Sequence, residues 1–235
     1  SCYFCATHNI WRRLWRPRSM RQVLGEVRNL YDRGVRTLNI LDDSFNIQEN
    51  RVRQFCFGIL DAGMRLEISA RSGLRPSHLS FDTLKLMRRA GFKDIWFGIE
   101  SGNQRVLDNV IRKETGLLEV RQVLADCRAA GIRAGGYFVI GLPGERTGEM
   151  WDTITFAAEY CDRVRLYTCQ PFPGSDLYAD AVKNNWLVPG FNPSEALIFG
   201  SKTYLRTPEF DPLEVSIVAE AGKRLLKKRR KLDQR

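Results

Sequence analysis

The 235 residues are 43 % apolar and 27 % charged, which supplies enough apolar mass for a core and is compatible with a single α/β barrel. No run of about 18 apolar residues occurs and no charged-then-apolar leader opens the chain, so neither a membrane span nor a signal segment is expected. The net charge of +10 can attract phosphate-rich partners; much of it sits in WRRLWRPRSMR (11–21) and KRLLKKRRK (223–231), each of which reads first as a solvated helix face or tail.

The chain opens on SCYFCATH, with Cys2 and Cys5 in a Cys-x-x-Cys pair. A start at Ser1, inside a cysteine motif, predicts that the natural N-terminus lies upstream. Three chemistries compete for the pair. Zinc could take Cys2, Cys5 and His8, but structural zinc wants a fourth ligand, and no second Cys-x-x-Cys exists. A redox dithiol would follow a strand and open a helix, a context missing here. An iron–sulfur cluster would need a further cysteine before Ser1. Six cysteines without a dense framework point to a reduced, cytoplasmic setting. Cys56, Cys127 and Cys161 fall on apolar helix faces and are expected to pack as small hydrophobes, as is Cys169 at a strand end.

Apolar residues then alternate between helical and strand spacing. Met20, Val23, Val27, Leu30 and Tyr31 predict a helix, followed by a strand at 37–41. Val52, Phe55 and Ile59 precede a strand at 66–70, and Leu84, Met87 and Ala90 precede one at 95–101. Leu117, Val120, Leu124 and Cys127 lead to a strand at 136–141. Trp151, Ile154, Ala158 and Cys161 lead to one at 163–170. Gly34, Gly63, Gly91 and Gly131 each follow a helix, where a left-handed C-cap wants glycine. This is the period of a parallel βαβ sheet. The polar and glycine-rich signatures all follow strands: DDSF (42–45), RSG (71–73), ES (100–101), GLPGE (141–145) and QPFPGS (170–175). Spread over five strands, they favour a barrel over a doubly wound sheet with one switch point. No dinucleotide or P-loop glycine motif is present. Beyond Trp186 the pattern changes, dividing the chain into 1–185 and an extension, 186–235. The extension carries a helix with Asp211 as N-cap, Pro212 at N1 and Glu214 at N3.

A cysteine four residues before Cys2 would complete C-x-x-x-C-x-x-C. On that motif, together with LDDSFN (41–46), RRAGFKDIWFGIESGNQRVLD (88–108), GYFVIGLPGE (136–145) and QPFPGSDLY (170–178), the chain resembles the radical S-adenosylmethionine (SAM) enzymes. The resemblance covers most of residues 1–180. It is nearest the branch often fused to a cobalamin-binding domain; tRNA methylthiotransferases and ring-forming enzymes are related branches. The fold implied is a partial (β/α)6 TIM-like barrel, with its first strand upstream of this chain.

The resemblance implies that Cys2 and Cys5 are two of the three cysteine ligands of a 4Fe–4S cluster whose open iron binds SAM. Phe4 would pack near the adenine, Asp42 and Asp43 would accept from the SAM amino group, and Glu100, with Ser101 beside it, would hold the ribose. Arg71 would neutralise the SAM carboxylate, and Gly141 would let backbone approach the adenine. Asp42 and Asp43 could instead cap a turn, Gly141 and Gly144 could be turn residues alone, and Glu100 could pair with Arg71. An electron delivered by a flavodoxin or ferredoxin would split SAM to a 5′-deoxyadenosyl radical that acts on a small-molecule or unknown substrate. Alternatively, SAM would also donate methyl through cobalamin. The cobalamin motif D-x-H-x-x-G is absent, and neither His8 nor His78 fits it. Any cobalamin domain is expected upstream, and with one cluster ligand missing, residues 1–235 alone are expected to be poor catalysts. A tRNA-modifying enzyme and a non-catalytic, basic nucleic-acid-binding barrel are the alternative readings.

Overall fold

The computed structural model describes residues 2–7, 9, 12, 14–43, 45–195 and 201–232. In chain order, its elements are α1 (Met20–Asp32), β1 (Thr37–Ile40), α2 (Glu49–Asp61), β2 (Glu67–Leu74), α3 (Phe81–Ala90) and β3 (Phe92–Glu100). A π-helical turn (Val106–Ile111), α4 (Leu117–Ala129), β4 (Arg133–Ile140), α5 (Thr147–Tyr160), β5 (Arg163–Thr168), α6 (Asp176–Lys183) and α7 (Pro212–Leu232) follow. The strands form one sheet in the order β1-β2-β3-β4-β5, and among the described residues that sheet is not closed. β1 pairs parallel with β2 from Thr37↔Glu67 to Ile40↔Ala70, and β2 pairs parallel with β3. The parallel sheet expected from the strand–helix period is therefore present, in the open, TIM-like form that the resemblance implies.

Burial explains the sheet. β1 is half exposed along its length, as an edge strand is, whereas β3 is buried at six of its nine positions. Two bulges separate β2 from β3. Ile68 pairs with Phe92 and Ser69 with Asp94, so Lys93 is the extra residue; Ala70 pairs with Ile95, but Leu74 with Phe97. The second bulge corrects the sequence reading. RSG (71–73) does not follow β2 but lies within its irregular end, where Gly73 takes φ 92°. Gly34, Gly63, Gly91 and Gly131 all have positive φ at helix ends, as expected.

The chain divides into two compact units. One comprises Trp15–Ile99 and Leu118–Gly136. Its core is Val52, Phe55, Cys56 and Ile59 from α2, Leu84 and Met87 from α3, and Ile68, Ala70 and Ile95 from the sheet. Phe45 packs its ring on Phe55 and Phe92, with centroids 5.7 and 6.1 Å away. A Cβ on Gly58 would overlap Leu24, so that glycine sets how closely α1 and α2 approach.

The other unit comprises Ser1–Leu14, Glu100–Leu117 and Tyr137–Arg235. α7 is built into it: Val215, Val218 and Ala219 are buried, and a Cβ on Gly222 would lie 2.6 Å from Ile154 of α5 and 3.2 Å from Leu166 of β5. Asp211 caps α7 by accepting from the Leu213 N–H at 2.9 Å. Glu214, expected at N3 of a capping box, instead accepts from the Thr147 hydroxyl. Cys56, Cys127 and Cys169 are buried as expected, but Cys161 is half exposed because it terminates α5. Trp151, expected on the apolar face of α5, is 37 % exposed; Ile154 and Ala158 are buried as expected, with Met150 and Ala157 beside them.

Candidate functional site

The Cys-x-x-Cys segment is held by the residue inside it. Tyr3 is buried; its N–H donates to the Ile111 carbonyl (3.1 Å), and its carbonyl accepts from the Leu177 N–H (3.2 Å). Its hydroxyl donates to Asp180 at 2.8 Å, and the Arg112 guanidinium lies over its ring. Burial and the Asp180 bond push the phenol above its ordinary range. The segment is thereby fixed to the π-helical turn on one side and α6 on the other. Cys2 and Cys5 close one turn through a Cys5 N–H to Cys2 carbonyl bond (3.1 Å). Both thiols are half-buried and unbridged, and that of Cys5 also meets the Thr7 hydroxyl at 3.1 Å. Phe4 is half-buried between them.

Burial raises the Cys2 thiol above its usual range; Lys113 opposes that, while Glu100 and Cys5 add to it. Lys113 and Glu100 are themselves an ion pair at 3.1 Å, each side chain 18 % exposed. Two backbone features make the pair. Glu100 ends β3 at φ 76°, a left-handed conformation that costs a non-glycine residue about 1–3 kcal/mol and concentrates at functional positions. The π-helical turn ends at Arg112, φ 59°, whose N–H returns to the Leu107 carbonyl and delivers Lys113 to Glu100. Glu100 therefore pairs with Lys113, not with Arg71.

The neighbouring residues secure this strand end. Ser101 is fully buried, and its hydroxyl meets that of Thr153 at 2.9 Å while accepting from the Asn103 N–H. Thr153 also accepts from the Gly102 N–H at 3.0 Å. A Cβ on Gly102 would strike α5 2.9 Å from the Asp152 carbonyl. After β4, Gly141 takes φ 80°, and a Cβ there would lie 2.7 Å from Val215 of α7. Its N–H and that of Leu142 both donate to Glu145, at 2.6 and 3.1 Å. Glu145 is fully buried, and its second carboxylate oxygen has no hydrogen-bond partner. Burial outweighs the two N–H donors and pushes this carboxyl up to about 8.

In the other unit, Asp42 and Asp43 stand exposed beyond the end of β1. Neither caps α2, whose N-cap is Gln48. The loop that carries them is held by Phe45 in the aromatic cluster and by Asn46. The buried Asn46 amide donates to the Arg75 carbonyl at 2.8 Å and accepts from the Arg75 N–H at 3.0 Å. The Asp42 carbonyl accepts from the Ser72 hydroxyl at 2.6 Å, linking the ends of β1 and β2. Arg71 binds Asp94 at 2.9 and 3.1 Å; Asp94 is 1 % exposed. A Cβ on Gly135 would overlap the Trp96 ring, which lies against the β4 backbone. Sequence reasoning missed Tyr3, Asp94, Lys113 and Glu145. Lys113 was out of reach because a π-helical turn has no apolar period to betray it. Glu145 stood in the GLPGE motif, and a carboxylate closing a glycine turn was the available signal.

Cys2 and Cys5 suit two positions of an iron–sulfur ligand set: both are thiols in one turn, protected but accessible. No group of three metal-ligating side chains exists among the described residues. His8, the third member of the zinc reading, lies outside the described residues.

Comparisons with known proteins bear on the family and the fold. The model of the Radical SAM superfamily covers residues 1–157. An uncharacterized methyltransferase of Pyrococcus horikoshii is 30 % identical over 190 residues, 80 % of this chain and 41 % of that protein. The cytidylyl-2-hydroxyethylphosphonate methyltransferase of Streptomyces wedmorensis is 28 % identical over 196 residues, 80 % of this chain and 36 % of that protein. The chain thus spans less than half the length of these relatives. Among solved structures, the radical SAM methyltransferase TsrM from Kitasatospora setae, with cobalamin and a [4Fe-4S] cluster bound, superposes with a TM-score of 0.63 at 17 % identity. That match covers 85 % of this chain and 40 % of TsrM. The cobalamin-dependent radical enzyme OxsB, with aqua-cobalamin and SAM bound, superposes with a TM-score of 0.58 at 19 % identity, over 78 % of this chain and 28 % of OxsB. The fold is that of the open, TIM-like α/β barrels. The chain belongs to the radical SAM superfamily, whose members characteristically use a 4Fe–4S cluster and SAM.

Proposed function

We propose that the chain is the SAM-cleaving part of a methyltransferase that works with cobalamin held elsewhere in a longer protein. The observation that carries this reading is the Tyr3-anchored turn bearing Cys2 and Cys5 at the start of the superfamily match. The methyltransferase names of both curated relatives and the fold shared with TsrM and OxsB support the reaction class. Residues 1–185 form the core in this reading and 186–235 an extension whose helix closes the GLPGE side. The setting is cytoplasmic, and an electron donor such as a flavodoxin or ferredoxin is the redox partner. When bound, the reduced cluster supplies the electron that divides SAM into methionine and a 5′-deoxyadenosyl radical.

The chain's own residues prepare for that chemistry. Cys2 and Cys5 would hold two irons as thiolates, with Lys113 easing the loss of the Cys2 proton that burial opposes. Asp43, with Asp42 beside it, offers exposed acceptors for the SAM ammonium. Glu100 offers the ribose a carboxylate whose strained backbone and Lys113 partner fix its direction. Ser101 acts beside it by binding Thr153 and holding the strand end. Arg71, steadied by Asp94, supplies positive charge for the SAM carboxylate. Phe4 offers an apolar ring to the adenine, and Gly141 a turn whose backbone the adenine would approach. Isothermal titration of SAM tests this in a longer form that supplies the cysteine four residues before Cys2. Asp43→Ala and Glu100→Ala should each weaken binding at least tenfold without changing thermal stability by more than a few degrees. Unchanged affinity in both would defeat the assignment.

A further inference from the structure

The first unit carries a second concave site, at the opposite end of its strands from Asp42, Asp43 and Arg71. A cavity of about 660 Å³ opens at the feet of β1, β2 and β3, around Thr37, Glu67 and Gly91. Arg36, Arg65, Arg88, Arg89 and Lys93 line it, and Glu67 is the one carboxylate among the described lining residues. None of the five cations forms an ion pair with a described carboxylate. Arg88 and Lys93 are half-buried even so.

That arrangement opposes folding. Like charges gathered around one cavity repel one another, and more so where they are half-buried, as Arg88 and Lys93 are. Part of the repulsion is offset by the C-terminal ends of α2 and α3, which reach this cavity and carry roughly half a negative charge each. Two half charges and one carboxylate do not balance five cations, so the cavity is left positive. Its geometry is also built rather than incidental. Lys93 is the bulged residue of β3, and a bulge re-aims one side chain out of the ladder. The Arg36 guanidinium is fixed by two backbone carbonyls, those of Tyr31 and Val35 at 2.8 and 2.9 Å, and by the Tyr31 ring 4.0 Å below it.

No aromatic side chain lines the cavity among the described residues, so it has no platform on which nucleobases could stack. Its volume is that of a small-molecule pocket, and forked guanidiniums match phosphate oxygens. We propose that this cavity binds a small ligand through a chain of linked phosphates, such as a di- or triphosphate group. The inference does not depend on the SAM reading, since it uses the other ends of the strands.

The test is isothermal titration of residues 1–235 with sodium tripolyphosphate at 50 and 200 mM sodium chloride. Saturable binding of one ligand per chain is expected, weakening at the higher salt. Arg65→Gln/Lys93→Gln should weaken it at least tenfold. Lys227→Gln/Lys228→Gln, which removes the same charge from α7, should leave it unchanged. The exposed single variant Arg89→Gln, expected to lose affinity about threefold, keeps the test valid should the double variant misfold. No saturable binding would overturn the proposal, as would equal loss in the α7 control, which marks diffuse charge. Tight binding of a 20-nucleotide oligouridylate without binding of tripolyphosphate would also overturn it, in favour of a nucleic-acid surface.

Discussion

Glu145→Gln should change how stability depends on pH. The Glu145 carboxyl is fully buried, and burial pushes it up to about 8, against about 4.3 for an exposed glutamate. Between those values the folded chain holds a proton that the unfolded chain has released. Folding therefore costs more as pH rises through this window, and stability falls between about pH 4.5 and 8. Integrated from pH 5 to pH 8, this one group withdraws about 3–4 kcal/mol, a large part of a typical domain's stability. Glutamine has nearly the same shape, keeps an acceptor for the Gly141 and Leu142 N–H groups, and cannot ionise. Urea melts of both proteins at pH 5, 6, 7 and 8 measure the difference. The variant should start about 1–2 kcal/mol less stable at pH 5, because its amide buries two N–H donors without acceptors where the protonated carboxyl buries one O–H. It should overtake the parent before pH 8. Parallel pH profiles would refute the reasoning and show that Glu145 ionises in place or that water reaches it.

Gly141→Ala should cost about 2 kcal/mol or more, from positive φ and from overlap with Val215, and Val215→Ala should restore part of it; thermal melts of the single and double variants decide. Tyr3→Phe removes the bond to Asp180 and should cost about 1 kcal/mol, with faster proteolysis of the first ten residues as the local readout. Arg71→Met strips the ion pair from the buried Asp94 and should cost about 2 kcal/mol, less than for a fully buried pair because Arg71 is 48 % exposed. Adding Asp94→Asn should recover most of that loss.

The strand–helix period was legible because each element carries its own apolar stripe, and the positive-φ glycines marked where helices end. What escaped were features set by neighbours distant in sequence. RSG looks like a loop by composition, yet a bulge against β3 keeps it in the ladder. Trp151 fits a helical stripe, but α5 is rotated so that Met150 and Thr153 face inward. Beyond β1, the exposure of Asp42 and Asp43 could be read from type and position. Their supports, Asn46 on the Arg75 backbone and Phe45 in the aromatic cluster, depend on contacts across the sequence. The Glu100–Lys113 pair depends on two left-handed residues whose identities give no sign of that conformation.

The central claim is that Cys2 and Cys5 hold a cluster to which SAM binds. Its most direct test is electron paramagnetic resonance after anaerobic reconstitution with iron and sulfide. Residues 1–235 and a longer form with the cysteine four residues before Cys2 should be compared, each reduced with dithionite, with and without SAM. The longer form should give a reduced 4Fe–4S signal that changes when SAM is added, and Cys2→Ala or Cys5→Ala should abolish it; the shorter form should give a labile cluster or none. No signal from the longer form, or one indifferent to SAM and to both cysteine substitutions, would contradict the account.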